Sequence, residues 1–252
     1  MSVIIALSGK GGVGKTTLAA LLVRCAVEQR RGPVLAVDAD PNASLGILLG
    51  AEPERTIADI REEALEKSGA SDTSRPRQLE YAIQCLALER EGYDLVTMGR
   101  PEGPRCYCYV NNLLRSYMDS MARTYPLVVI DNEAGMEHLS RRTTNDVDHL
   151  WIVTAPTALG LRTAGRISQI ARELPIRVGR MGLILNRSVP GTRERPSAAA
   201  VEGAGIEVLG EIPEDEAVAE ASVRGEPVFA LGSESAALQA ISDILARTLE
   251  KR

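Results

Sequence analysis

The 252-residue sequence predicts an α/β protein in which a doubly wound, mostly parallel sheet is flanked by helices on both faces. Three observations carry that expectation. Seven short runs rich in β-branched residues recur along the chain, amphipathic helical stretches separate them, and a glycine-rich loop follows directly on the first run. With 44% hydrophobic residues the chain can bury a sizeable core, and its length fits one domain over residues 1–252.

"SVIIALS" is the first expected strand, and "SGKGGVGKTT" leads from it into the apolar helical run "LAALLVRCAVEQ". Gly9, Gly14, Lys15 and Thr16 match the phosphate-loop pattern G-x-x-x-x-G-K-[ST] in the strand–loop–helix context of a P-loop NTPase. Glycines let successive backbone N–H groups turn toward phosphates, and the helix amino terminus adds partial positive charge. The candidate ATP/ADP site is therefore Gly9, Lys10, Gly11, Gly12, Val13, Gly14, Lys15, Thr16 and Thr17. Lys15 would reach the β- and γ-phosphates, and the Thr16 hydroxyl would ligate Mg²⁺.

"PVLAVDAD" is the second strand and brings Asp38 and Asp40 to its end; "YDLVTMG" is the third; "PLVVIDN" is the fourth and ends at Asp131. "DHLWIVTA", "MGLILNR" and "IEVLGEIP" complete the set, the last two ending near Asn186 and Pro213. Ligands of such sheets sit beyond the carboxyl ends of the strands. A carboxylate there can hold a metal-bound water or orient an attacking one. Two polar stretches, Glu66 to Arg77 and Arg187 to Ser197, read as surface loops, the first of them mobile. In the closing segment Leu238, Ile241, Leu245 and Leu249 recur at helical spacing. Without a strongly basic face, that helix is expected to pack on the sheet and not to anchor in a membrane.

A net charge of −5 with interspersed signs offers no basic surface for nucleic acid or anionic lipid. No apolar run approaches the ~20 residues of a membrane span, and the amino terminus lacks signal-peptide features, so a cytoplasmic location is expected. Four cysteines do not make a disulfide framework. Cys25 and Cys85 fit core positions. Cys106 and Cys108, in "GRPEGPRCYCYVNN", precede the helical stretch "VNNLLRSYMDSMAR", where a helix amino terminus and Arg105 favour thiolate. They are plausible soft ligands, but tetrahedral zinc or a thiolate-rich nickel site needs about four donors. His138 and His149 are lone histidines, read as structural or exposed, although His138 could contact a partner or metal.

The extra Lys10 in "KGGVGKT" resembles the deviant phosphate loop of the MinD, ParA and nitrogenase-iron-protein superfamily. That resemblance implies a nucleotide-sandwiched homodimer in which Lys10 crosses to the partner's nucleotide. It also implies that Asp40 orients the attacking water, Asp131 holds a metal-bound water, Asp38 lies in the magnesium outer shell, and Gly135 offers its N–H to the γ-phosphate. Asn186 and the turn from Pro213 to Val218, Asp215 included, would contact adenine. An Asn-Lys-x-Asp guanine signature is absent from that region, which favours ATP. If the two-fold axis passes near the cysteine loop, Cys106 and Cys108 of both chains complete one Cys₄ site for Ni²⁺ or Zn²⁺.

Taken with "DADPNA" and "DNEAGMEH", the cysteine loop resembles the CooC-type nickel-insertion ATPases that mature carbon monoxide dehydrogenase. The resemblance implies a metallochaperone whose client is that enzyme or its acetyl-CoA synthase partner, with slow turnover in the client's absence. Arg105 stands where that family commonly has glycine. Two alternatives are an iron–sulfur electron-transfer ATPase like the nitrogenase iron protein, whose cluster cysteines are spaced further apart, and a MinD- or ParA-like positioning ATPase.

Overall fold

The computed structural model describes residues 2–66, 81–82, 85–100, 106–134, 146–174, 176–189 and 205–250. Its strands are β1 (Val3–Gly9), β2 (Val34–Ala39), β3 (Leu88–Arg90), β4 (Tyr93–Thr97), β5 (Leu127–Asn132), β6 (Asp146–Thr154), β7 (Arg177–Ser188) and β8 (Glu207–Pro213). They form one sheet in the order β3-β4-β2-β5-β1-β6-β7-β8. Every neighbouring pair is parallel except β3 with β4. The doubly wound, mostly parallel α/β sheet is thus observed.

All seven expected strands are present. The additional β3 is a three-residue antiparallel edge whose "LER" carries no apolar run. β7 begins at Arg177, ahead of the expected "MGLILNR", because its polar first residues extend beyond the core while still pairing with β6.

The helices are α1 (Lys15–Glu28), α2 (Leu45–Leu49), α3 (Ile57–Glu66), α4 (Cys106–Met121), α5 (Ala158–Glu173), α6 (Glu216–Arg224) and α7 (Ala236–Glu250). On one face of the sheet α1 and α7 bury Leu18, Leu22, Ile241 and Leu245 against Trp151 and Ile184. On the other, α3, α4 and α5 bury Ile60, Leu114 and Ile167 against Leu35, Val128 and Ile152. With both faces covered, β2 and β5 are buried along their whole length, which is why they read as continuous apolar runs.

The closing helix packs as expected: Leu238, Ile241 and Leu245 are buried and Leu249 lies against the same cluster. Cys25 is also a core residue, its thiol donating to the Leu238 carbonyl at 3.5 Å. Cys85 is not, and this corrects the sequence expectation. The Cys85 N–H bonds the Tyr81 carbonyl, but the chain then turns at Cys85 and Leu86 toward β3, ending the helical spacing and leaving Cys85 exposed. His149 is half-buried on β6. The expected loops lie largely outside the described residues, the first from 67 onward and the second from 190 onward. Among the described residues no helix is long and apolar enough to cross a membrane.

Candidate nucleotide site

β1 is central in the sheet, so the loop that follows it emerges between the carboxyl ends of β5 and β6. A side chain at Gly9 would strike the Val153 carbonyl. Gly14 has φ 89°, and a Cβ there would stand 2.5 Å from the Asn186 amide nitrogen. Both positions need glycine for the loop to pass. The Gly14 carbonyl accepts from Leu18 N–H at 3.0 Å and starts α1.

Lys15, the first residue of α1, is buried, and its Nζ folds back to donate to the Lys10 carbonyl at 3.4 Å. Burial lowers its pKa, opposed by Asp131, Asp40 and Glu133. Lys10 is exposed and makes no ion pair among the described residues.

Asp38 and Asp131 are register partners on β2 and β5, with Thr97 of β4 beside Asp38 in the same row. Asp38 accepts from Leu45 N–H at 2.8 Å and Asp40 N–H at 3.1 Å. Burial nevertheless pushes its carboxyl up to about 7, with Asp131 adding to the rise and the two N–H groups opposing it. Asp131 is raised by burial to about 6, with Thr16 and Lys15 pulling it down and Asp40 pushing it up. Asp40 is half-buried and is held by the Asn42 N–H and side-chain amide, both at 2.9 Å.

Asp131, Asp40 and Glu133 therefore surround one buried ammonium, and neither Asp131 oxygen has a hydrogen-bond partner of good geometry among the described residues. This orphaned carboxylate beside Thr16 fits the water shell of a magnesium ion that the Thr16 hydroxyl and the phosphates would ligate. Among the described residues no group of three His, Cys, Asp or Glu side chains could hold a metal alone.

Beside the loop opens a cleft of about 300 Å³, lined by Leu18, Asn186, Arg187, Pro213, Asp215 and Val218 among others. The Asn186 Nδ2 donates one hydrogen to the Val13 carbonyl at 2.7 Å, which leaves its second N–H and the Oδ1 acceptor. The acceptor suits adenine's N6 amine and the remaining N–H its N7. Sequence reading expected Asn186 at adenine and did not see that its amide also ties down the phosphate loop. It missed Asn132, whose amide donates to the Leu7 carbonyl at 2.9 Å and clamps β5 to β1 beneath the site. It also missed Glu133, which attracts Lys15, and Arg187, which has a left-handed φ of 57°. Asn132 and Glu133 lie inside "DNEAGMEH", where only the first and fifth residues had been assigned.

Gly135, His138 and Arg105 lie outside the described residues. Cys106 and Cys108 do not precede the helix as the sequence suggested but occupy the first turn of α4, which begins at Cys106; their side chains also lie outside the described set. Since β4 runs parallel to β2, its carboxyl end lies on the same edge of the sheet as the phosphate loop.

Residues 4–228 match the model of the CobQ/CobB/MinD/ParA nucleotide binding domain. An uncharacterized ATP-binding protein of Methanocaldococcus jannaschii is 40% identical over 254 residues, covering 99% of each chain. The carbon monoxide dehydrogenase accessory protein CooC of Rhodospirillum rubrum is 36% identical over 187 residues, 69% of this chain and 70% of that one. The cell division ATPase MinD of Pyrococcus furiosus superposes with a TM-score of 0.72 at 25% identity, covering 100% of this chain and 99% of its own. With the phosphate loop, the strand-end carboxylates and the base-sized cleft on one edge of the sheet, this chain belongs to the CobQ/CobB/MinD/ParA family of P-loop ATPases.

Proposed function

We propose that this ATPase is a metallochaperone that dimerises with ATP, holds Ni²⁺ or Zn²⁺ between the Cys106 and Cys108 pairs of two chains, and uses hydrolysis to time nickel delivery. The client would be a nickel enzyme of the carbon monoxide dehydrogenase or acetyl-CoA synthase type. The observation that carries this reading is the Cys-x-Cys pair at the start of α4, the helix that follows β4, whose carboxyl end lies on the nucleotide edge of the sheet. Similarity to the Rhodospirillum accessory protein supports it. MinD/ParA family members dimerise, and a two-fold dimer doubles two thiolates into four.

In this mechanism the Gly9–Thr17 loop binds the phosphates, and Lys15 neutralises the β- and γ-oxygens. Burial makes that ammonium costly to leave unpaired, so it is poised for an anion. Lys10, exposed on the loop, supplies the second positive charge to the partner's nucleotide. Asp40 orients the water; Thr16 would ligate magnesium, and Asp38 and Asp131 would hold its water shell. Magnesium, when bound, withdraws charge from the phosphate oxygens. Loss of the γ-phosphate changes how the chains face one another and with it the affinity for the cargo metal.

The test is anaerobic metal analysis with a spectrum recorded during nickel titration, comparing wild type with Cys106→Ser. One metal per two chains, with a nickel–thiolate absorption that the variant lacks, is the expected result. About four irons per dimer would make the protein an electron carrier instead. No metal, together with ATP-dependent binding to vesicles or DNA, would make it a positioning ATPase.

A further inference from the structure

The structure assigns Asp215 the role of a positioning residue: one carboxylate caps two helices at once and sets the width of the base cleft, without touching the base. The inference rests on the cleft being the nucleobase site.

Asp215 is the N-cap of α6, and its Oδ1 accepts from Ala217 N–H at 3.0 Å and Val218 N–H at 3.3 Å. Its Oδ2 accepts from Ala237 N–H at 3.0 Å, in the first turn of α7, and from the Ser235 hydroxyl at 2.8 Å. The Ser235 oxygen accepts in turn from Leu238 N–H at 3.2 Å, so Ser235 caps α7 while its hydroxyl donates a hydrogen bond to Asp215. An ionised carboxylate has about four acceptor positions, and here all four are filled. Nothing remains for adenine's amine, and a carboxylate has no donor for the ring nitrogens. The charge also sits at two converging helix N-termini, where dipoles favour it. Burial acts to raise the Asp215 pKa, but the four hydrogen bonds outweigh it and leave the carboxyl below the usual value.

What the knot holds is one wall of the cleft. Val218, Ala219 and Ser222 come from α6, Ala237 from α7, and Pro213 from the end of β8, facing Thr17, Leu18 and Leu21 of α1. The phosphate loop is anchored separately, by β1 and by Asn186. Loosening the knot should therefore weaken the grip on the base and spare the grip on the phosphates.

The experiment compares wild type, Asp215→Asn, Ser235→Ala and the double variant. It reads ATP KM and kcat, competition by inorganic tripolyphosphate, and melting temperature. Ser235 does not line the cleft, so a base contact cannot explain its effect. We expect Asp215→Asn to raise the ATP KM about tenfold and Ser235→Ala about threefold. Their effects should multiply to less than the product in the double variant, with kcat and tripolyphosphate binding changed less than twofold. A raised KM in Asp215→Asn with none in Ser235→Ala would overturn the inference in favour of direct contact. Parallel loss of kcat and tripolyphosphate binding would overturn it in favour of general loosening. If wild type binds tripolyphosphate as tightly as ATP, the cleft is not the base site and the premise fails first.

Discussion

Asp131 shows how far a single residue can be read from sequence. Its place at the end of an apolar run marks it as a site residue. Its burial beside Asp38, with no good hydrogen bond among the described residues, depends on strand order. That burial has a pH signature. Burial pushes the native carboxyl up to about 6, above the ordinary 3.8, so the folded chain holds the proton more tightly than the unfolded one. The stability this contributes is complete below about pH 4 and is lost as pH rises through 6. Asp38, raised to about 7, acts in the same sense. Without nucleotide and magnesium, the wild type should therefore melt at progressively lower temperature from pH 5 to 8. Asp131→Asn should flatten that slope and be more stable at pH 8 by about 2 kcal/mol, while losing ATPase activity. Melting curves that fall in parallel for both proteins would remove this account. Asp215 marks the limit of sequence reading at this scale: its partners Ser235 and Ala237 come from another helix, and no local pattern announces a carboxylate shared between two caps.

At the scale of elements, the strands from β4 to β7 in the sheet were legible because each holds an apolar run covered on both faces, and β8, an edge strand with only Ile212 buried, was legible from its alternation of apolar and polar residues. β3 was not, since an edge strand of three residues has too little burial to leave a pattern. Cys85 failed for a related reason, as helical spacing cannot say where a helix stops. Equally hidden was the tie between α1 and the segment after α6. The Arg24 guanidinium, on the expected apolar helix, is buried and donates to the Val228 carbonyl at 2.5 Å and the Leu231 carbonyl at 2.8 Å. Its Nε bonds Glu28 at 2.8 Å. Arg24→Met would leave two carbonyls without their donor, at a cost of about 3 kcal/mol in denaturant unfolding. Arg224→Met is the control, because both its ion pairs are exposed and such pairs contribute less than about 1 kcal/mol. Equal losses in the two variants would show that Arg24 does not hold the segment.

For the whole molecule, the proposed dimer makes one lysine separable from the other. Lys15 is buried against its own loop, whereas Lys10 is exposed and directed by no ion pair among the described residues. Lys10→Ala is therefore expected to bind ATP at close to wild-type affinity, fail to dimerise with it, and lose about 10² to 10³ in kcat. Lys15→Ala should lose nucleotide binding itself. Mixing the two inactive variants separates action across the interface from action within one chain. In a mixed dimer, the Lys10→Ala subunit binds ATP and the Lys15→Ala subunit still offers Lys10. Recovered turnover, rising with the fraction of mixed dimers, means that the lysine acts across the interface. No recovery despite mixed dimers seen by sedimentation means that Lys10 serves its own nucleotide, and the symmetric origin of a four-thiolate metal site would lose its main support.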